Sequence, residues 1–124
     1  MDSPHDPTCR TIEATVVRSA ILARRMRNGS FPPGLFGEPA WDCLLELYLA
    51  LIEQRRISVT DLCVAAVVPQ TTALRWLNVL QQNELVRRIP DRRDSRRTFV
   101  ELTHKGEALM NSYFNRVPCL WNGC

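Results

Sequence analysis

The sequence predicts a mainly helical chain carrying one small antiparallel β-hairpin, and three observations support that reading. Apolar residues recur at three- and four-residue spacing in several separate stretches. After Asn83-Glu84 the period shortens to two, and a polar, arginine-rich loop separates the two alternating runs that follow. At 124 residues the length suits one domain, burying about two thirds of the surface that its unfolded chain would expose. The net charge is +3, from 16 basic and 13 acidic residues, and every basic residue except Lys105 is arginine. Guanidinium offers a rigid fork of donors suited to phosphate and to base edges, so this bias points towards nucleic acid more than towards mere solubility.

Residues 1–10 hold Pro4 and Pro7 among polar neighbours and read as a flexible arm, residues 11–117 as the domain, and residues 118–124 as a tail without a recognisable period. Ile12, Val16, Ser19, Ala20 and Ala23 place a helix over 12–27, with Arg24, Arg25 and Arg27 in its last turns, where the helix dipole favours cations. Asn28-Gly29 is expected to stop it. A second helix opens at Glu38-Pro39 and shows Trp41, Leu44, Leu45, Tyr48, Leu51 and Ile52 as one wide stripe, ending near 54–56. In Ser58-Val59-Thr60-Asp61 a serine precedes an acid by three residues, the pattern of an N-cap. It starts a short helix over 59–66 that Val67-Val68-Pro69 breaks. A fourth helix over 70–83 buries Ala73, Trp76, Leu77 and Leu80 and turns Gln70, Thr71, Leu74, Arg75 and Asn78 largely the other way. Leu85 to Ile89 and Arg97 to Thr103 read as paired strands around the loop, and a last helix runs from Thr103 to about 117 on Leu109, Met110, Tyr113, Phe114 and Val117.

Two short helices joined by a tight turn, then a strand, a basic loop and a strand, are the order of a winged helix-turn-helix. An α-helix fits the major groove of duplex DNA, where its exposed side chains reach base edges. Among the helix residues Arg75 leads, through forked hydrogen bonds to guanine, with phosphate contact or an internal ion pair as its other roles. Gln70 and Asn78 suit adenine, Thr71 suits phosphate or base, and Leu74 suits either a thymine methyl or packing within the domain. The hairpin brings Arg87, Arg88, Arg92, Arg93, Arg96 and Arg97 within eleven residues, offset locally by Asp91 and Asp94. Arg92, Arg93, Arg96 and Arg97 are expected to follow the DNA backbone or enter the minor groove, where negative potential is strong. A plain solvated turn is the bland alternative. Asp94 is expected to orient Arg75, Arg96 or another arginine.

Other chemistries find little support. No glycine-rich phosphate loop and no H-E-x-x-H or G-x-S-x-G pattern is present, and neither His5 nor His104 has a sequence partner for acid-base work. No catalytic residue, cofactor-binding residue or metal ligand is therefore assigned. Cys119 and Cys124 form one C-x4-C pair with no second pair to complete four ligands, and are instead candidates for oxidant sensing. Five cysteines at irregular spacing point to free thiols, buried at Cys43 and Cys63. The longest apolar run, Leu62 to Pro69, falls short of the roughly 18 residues that a membrane span needs. The N-terminus has no basic flank leading into an apolar core, so the expectation is a cytoplasmic protein without a membrane partner.

Asp91-Arg92-Arg93-Asp94-Ser95-Arg96, followed by Val100-Glu101-Leu102-Thr103 and Gly106, is similar to the D-x-x-D-x-R wing and L-T-x-x-G junction of the MarR family of bacterial winged-helix transcription regulators. Thr72 to Leu80, with Asn83-Glu84-Leu85-Val86-Arg87, resembles that family's recognition helix and its exit into the wing. The resemblance covers residues 40–108 well and the first helix loosely. It implies a sequence-specific transcription regulator, a homodimer whose recognition helices enter successive major grooves of a pseudo-palindromic duplex site, with Arg96 contacting DNA from the wing. It also implies that the first and last helices build the dimer, here through Ile12, Val16, Leu109, Tyr113 and Phe114. Relatives continue into a long helical C-terminal region, whereas this sequence ends soon after Pro118. The expectation is a dimer that is smaller or is built mainly from the first helix, with less room for the phenolic or other small effectors that relatives bind between dimer helices and DNA-binding domains. The competing class is a winged-helix adaptor that binds protein without specific DNA recognition, which predicts little loss of function when Arg75 or the wing arginines are replaced.

Overall fold

The computed structural model describes residues 11–122. Its elements in chain order are α1 (Ala14–Ser30), α2 (Pro39–Ile52), β1 (Ile57–Ser58), α3 (Val59–Ala65), α4 (Gln70–Gln82), β2 (Val86–Pro90), β3 (Thr98–Leu102) and α5 (His104–Asn122). This is the mainly α, winged helix-turn-helix order that the apolar periods predict. The expected arm over 1–10 and the side chains of Cys119 and Cys124, with their oxidant-sensing role, lie outside the described residues.

The centre of the domain is α2. Its Cys43, Leu45, Leu47, Tyr48, Leu49 and Ala50 are all buried, and it packs against α1, α3, α4 and β3. A helix apolar on nearly every side finds its stable place inside, and each large side chain buried there contributes about 1.5–3 kcal/mol. Leu62 from α3, Ala73, Leu77 and Leu80 from α4, and Val86, Val100 and Leu102 from the sheet close over it. From α5, Phe114 stacks on Tyr48 with ring centroids 5.5 Å apart. The first helix departs from expectation. Val17 is fully buried while Val16 faces out, because polar α1 carries no strong stripe of its own and its buried side is set by α2.

The hairpin belongs to a three-stranded antiparallel sheet of order β1-β3-β2. Val86 pairs with Leu102 and Ile89 with Phe99, while β1 adds Ile57 opposite Val100 and Ser58 opposite Phe99. The sequence reading missed β1, since two residues are too short to show a period and their partners lie far along the chain. Ser58 does serve as the expected cap: its Oγ accepts a hydrogen bond of 3.1 Å from the Asp61 amide.

Helix ends account for the other departures. α1 runs past Asn28-Gly29 to Ser30, whose Oγ donates to the Met26 carbonyl at 2.7 Å. It stops at Phe31, held extended (φ −121°, ψ 165°) by the proline that follows. α5 continues through Pro118 to Asn122, where an end near 117 was expected; Pro118 gives up one backbone donor while the helical path goes on. α2, α3 and α4 each close in a Schellman motif, with bonds Arg55 N to Ala50 O, Val68 N to Cys63 O and Leu85 N to Leu80 O of 2.9–3.0 Å. The left-handed residues in these motifs are Gln54, Val67 and Glu84 (φ 57°, 55° and 63°), none of them glycine. Val67 is the most strained, because a β-branched side chain collides with its own backbone in that region. It lies in the turn between α3 and α4 and is 73% exposed, so little packing would be lost with it. Val67→Gly is therefore expected to stabilise the fold by about 1 kcal/mol, read as a raised midpoint in urea denaturation.

Candidate nucleic-acid interface

α4 presents the polar face that its sequence predicts. Ala73, Leu77 and Leu80 point into the core, Gln70, Thr71, Arg75 and Asn78 are exposed, and Leu74 and Trp76 are half-buried at the boundary. The spacings 70, 74, 78 and 71, 75, 78 place the outward residues along one side of the helix. The Arg75 guanidinium carbon lies 5.9 Å from the centroid of the Trp76 ring, and Arg75 has no ion pair among the described residues, so its charge is not neutralised within the domain.

The wing is shaped by its two aspartates. Asp91 Oδ1 accepts from the Arg93 amide at 2.9 Å and its Oδ2 accepts from Arg97 Nε at 3.1 Å. Asp94 Oδ1 accepts from both the Arg96 amide at 3.0 Å and Arg96 Nε at 3.1 Å. Of the partners expected for Asp94, the structure selects Arg96 and not Arg75. Backbone bonds from the Asp91 amide to the Arg97 carbonyl and from the Arg97 amide to the Asp94 carbonyl, both 3.0 Å, close the loop. The four expected wing residues thus divide. Arg92 and Arg93 are exposed without a carboxylate partner among the described residues, Arg96 is tethered yet 89% exposed, and Arg97 is tied to Asp91 and lies 5.2 Å from the centroid of Phe99.

Hydrogen bonds from the Arg93 amide hold the Asp91 carboxyl below its ordinary pKa, and those from Arg96 do the same for Asp94. A carboxylate with a depressed folded pKa supports its turn above the unfolded value and loses that support as pH falls through the lower folded value. Both wing turns should therefore persist through mildly acidic conditions. The amide resonances of Arg93 and Arg96 should shift only below the usual aspartate pKa of 3.8. An NMR titration of the two amides checks this.

One arginine outside the expected set, Arg88, faces this region, and a second, Arg56, sits against Phe99 beside a separate small cleft. Arg88 on β2 donates through Nη2 to Asn78 Oδ1 at 2.7 Å and reaches the Leu74 carbonyl at 3.5 Å. Arg56 lies 4.4 Å from the Phe99 centroid. Strand alternation could have separated Arg88 from its neighbour Arg87, which pairs outward with Glu101 at 3.4 Å. For Arg56 no local signal exists. A polar cleft of about 400 Å³ runs between α4 and the wing, lined by Gln70, Leu74, Arg88, Arg96 and Arg97 and, from the start of α3, by Ser58, Thr60 and Asp61.

Away from this face, Cys43 and Cys63 are buried free thiols as expected, and burial pushes the Cys43 thiol up to about 12. Buried Glu46 is likewise raised by burial; Arg25 donates to it at 3.2 Å and also to the Ala65 carbonyl at the end of α3. Among the described residues no group of three His, Cys, Asp or Glu side chains is placed to hold a metal ion, and no helix is long and apolar enough to cross a membrane.

No protein-family model and no curated protein matches the sequence. Solved structures do match the fold. S. aureus MepR in its DNA-binding conformation is 18% identical over 88% of this chain and 76% of its own, with a TM-score of 0.59. A putative DNA-binding protein from Ralstonia eutropha JMP134 is 26% identical over 64% of this chain and 98% of its own, with a TM-score of 0.55. A mutant of E. coli MarR complexed with operator DNA is 18% identical over 80% of this chain and 61% of its own, with a TM-score of 0.54. The class these likenesses define is the winged helix-turn-helix, and within it the chain has the MarR-like fold.

Proposed function

We propose that this protein is a sequence-specific, duplex-DNA-binding transcription regulator of the MarR type. α4 would lie in the major groove and the wing, residues 90–97, along the backbone or in the minor groove. The observation that carries this reading is the un-neutralised Arg75 on the exposed face of α4, beside a wing whose Arg92, Arg93 and Arg96 all point to solvent. The structures of S. aureus MepR and of E. coli MarR with operator DNA support it by likeness of fold. Arg88, Arg96 and Arg97 in the cleft between α4 and the wing add further donors suited to a polyanion.

The proposed assembly is a homodimer on a two-fold site. Exposed Val16 on α1 and exposed Leu109 and Tyr113 on α5 supply apolar surface for it, whereas Phe114 and half-buried Ile12 are spent inside the protomer. The small effector that the family resemblance implies would take the cleft of about 490 Å³ between α1, the 31–37 connection and α2. Its walls are largely apolar (Ile21, Leu35, Phe36, Leu45), and its Arg24 and Arg25 already hold Asp42 and Glu46.

The test is enrichment from a random duplex pool by the full chain at near-physiological salt. A two-fold motif is expected, with affinity falling steeply as salt rises because bound phosphates release their counterions. Folded protein that enriched no motif, and bound DNA only as weakly as any basic protein, would sink the proposal.

A further inference from the structure

Asn78 is the one residue of the α4 face whose side chain is held by the sheet. Its carboxamide oxygen accepts the 2.7 Å bond from Arg88 Nη2, and the same nitrogen reaches back to the Leu74 carbonyl one turn earlier. Arg88 has no carboxylate partner among the described residues, so its charge stays next to that oxygen. A guanidinium can only donate, which settles the amide's orientation by chemistry: the oxygen faces Arg88 and the NH₂ group is left to face elsewhere.

This matters for what the position can read. A free asparagine suits adenine because its oxygen accepts from N6 while its nitrogen donates to N7. In this protein the oxygen is engaged by a cation. A second lone pair remains on it, but an adenine amino group brought there would meet the N–H groups of Arg88, donor facing donor. Guanine offers N7 and O6, two acceptors side by side, to the Asn78 NH₂ group and to the neighbouring guanidinium.

Resting on the DNA-reading function proposed above, we infer that Arg88 is a specificity-determining positioning residue that makes Asn78 a donor-only reader, so its position in the half-site is a G·C pair and not A·T. The signature expected from Asn78 alone is thereby reversed by a strand residue ten positions further along the chain.

The experiment is motif selection from random duplex DNA with the full chain and with the Asn78→Ala, Arg88→Met and Arg88→Lys variants, each checked for fold by circular dichroism. Asn78→Ala locates the base pair by flattening its preference. Wild type should show G·C there, Arg88→Lys should keep it, and Arg88→Met should free the amide and turn the preference to A·T by about tenfold. An A·T preference at that pair in wild type overturns the inference whatever Arg88→Met does, including if that variant fails to fold. So does a G·C preference that survives in folded Arg88→Met, or an Asn78→Ala motif identical to wild type. A wild type that enriches no motif overturns the DNA-reading function itself, an outcome separate from the others.

Discussion

Arg75→Ala is expected to lower affinity for the selected duplex about 10- to 100-fold and to relax the preference at one base pair, while binding to scrambled duplex changes much less. The asymmetry follows from what the two arginine classes would touch under the proposed function. Arg75 stands on the helix face without an ion pair among the described residues, so its five donors are free for a base edge, and removing them discards information as well as charge. Arg92→Ala removes an exposed cation from the wing loop and should weaken binding to all sequences alike, with a salt dependence shallower by about one unit of slope. Fluorescence-anisotropy titrations on selected and scrambled duplexes at two salt concentrations distinguish the two patterns. Equal losses on both duplexes for Arg75→Ala would assign it to phosphate.

Gly106→Ala should be the most damaging glycine-to-alanine change among the described residues, with an expected loss of about 3 kcal/mol or failure to fold. A Cβ at this position would stand 2.2 Å from the carbonyl oxygen of Leu85 and 3.2 Å from a methyl of Leu102. That carbonyl cannot retreat, since it accepts the Thr103 amide at 3.0 Å, and Thr103 Oγ1 donates to the Glu84 carbonyl at 2.6 Å while accepting from the Gly106 amide at 3.0 Å. The exit of α4, the end of β3 and the start of α5 meet at this knot. Gly29 provides the internal control. It too is helical, but nothing lies within 4 Å of its added Cβ, so Gly29→Ala should stabilise by about 0.5 kcal/mol through backbone entropy alone. Urea denaturation of the two variants should give shifts of opposite sign.

Features built on local repetition were readable in the sequence. The buried Ala73, Leu77 and Leu80 and the outward Gln70, Thr71, Arg75 and Asn78 follow from the helical period, and the strand partners follow from alternation. The Ser58 cap could be read from a four-residue pattern. Features built on distant pairing could not. β1 exists because Ile57 meets Val100, and Arg88 captures Asn78 across a turn of chain whose path no local pattern reveals. Helix ends were blurred for another reason: the left-handed positions that close α2, α3 and α4 carry Gln54, Val67 and Glu84, where a glycine would have announced them. Along α1 and the residues just before it the expected stripe holds at Ile12 and Ala20 but not at Val16, because a mainly polar helix leaves the choice between Val16 and Val17 to its neighbour.

The carboxylate-closed turns of the wing bear on the thermodynamics of association. A floppy loop would surrender about 1–2 kcal/mol of backbone entropy for each residue that DNA immobilised. Here Asp91 and Asp94 tie the loop to its own amides and to Arg96 and Arg97 during folding, before any duplex arrives. In the proposed complex the ordering penalty would thus be met by the fold and not by binding, so the charge at the wing tip would convert more fully into residence time on a duplex than its arginine count alone would suggest.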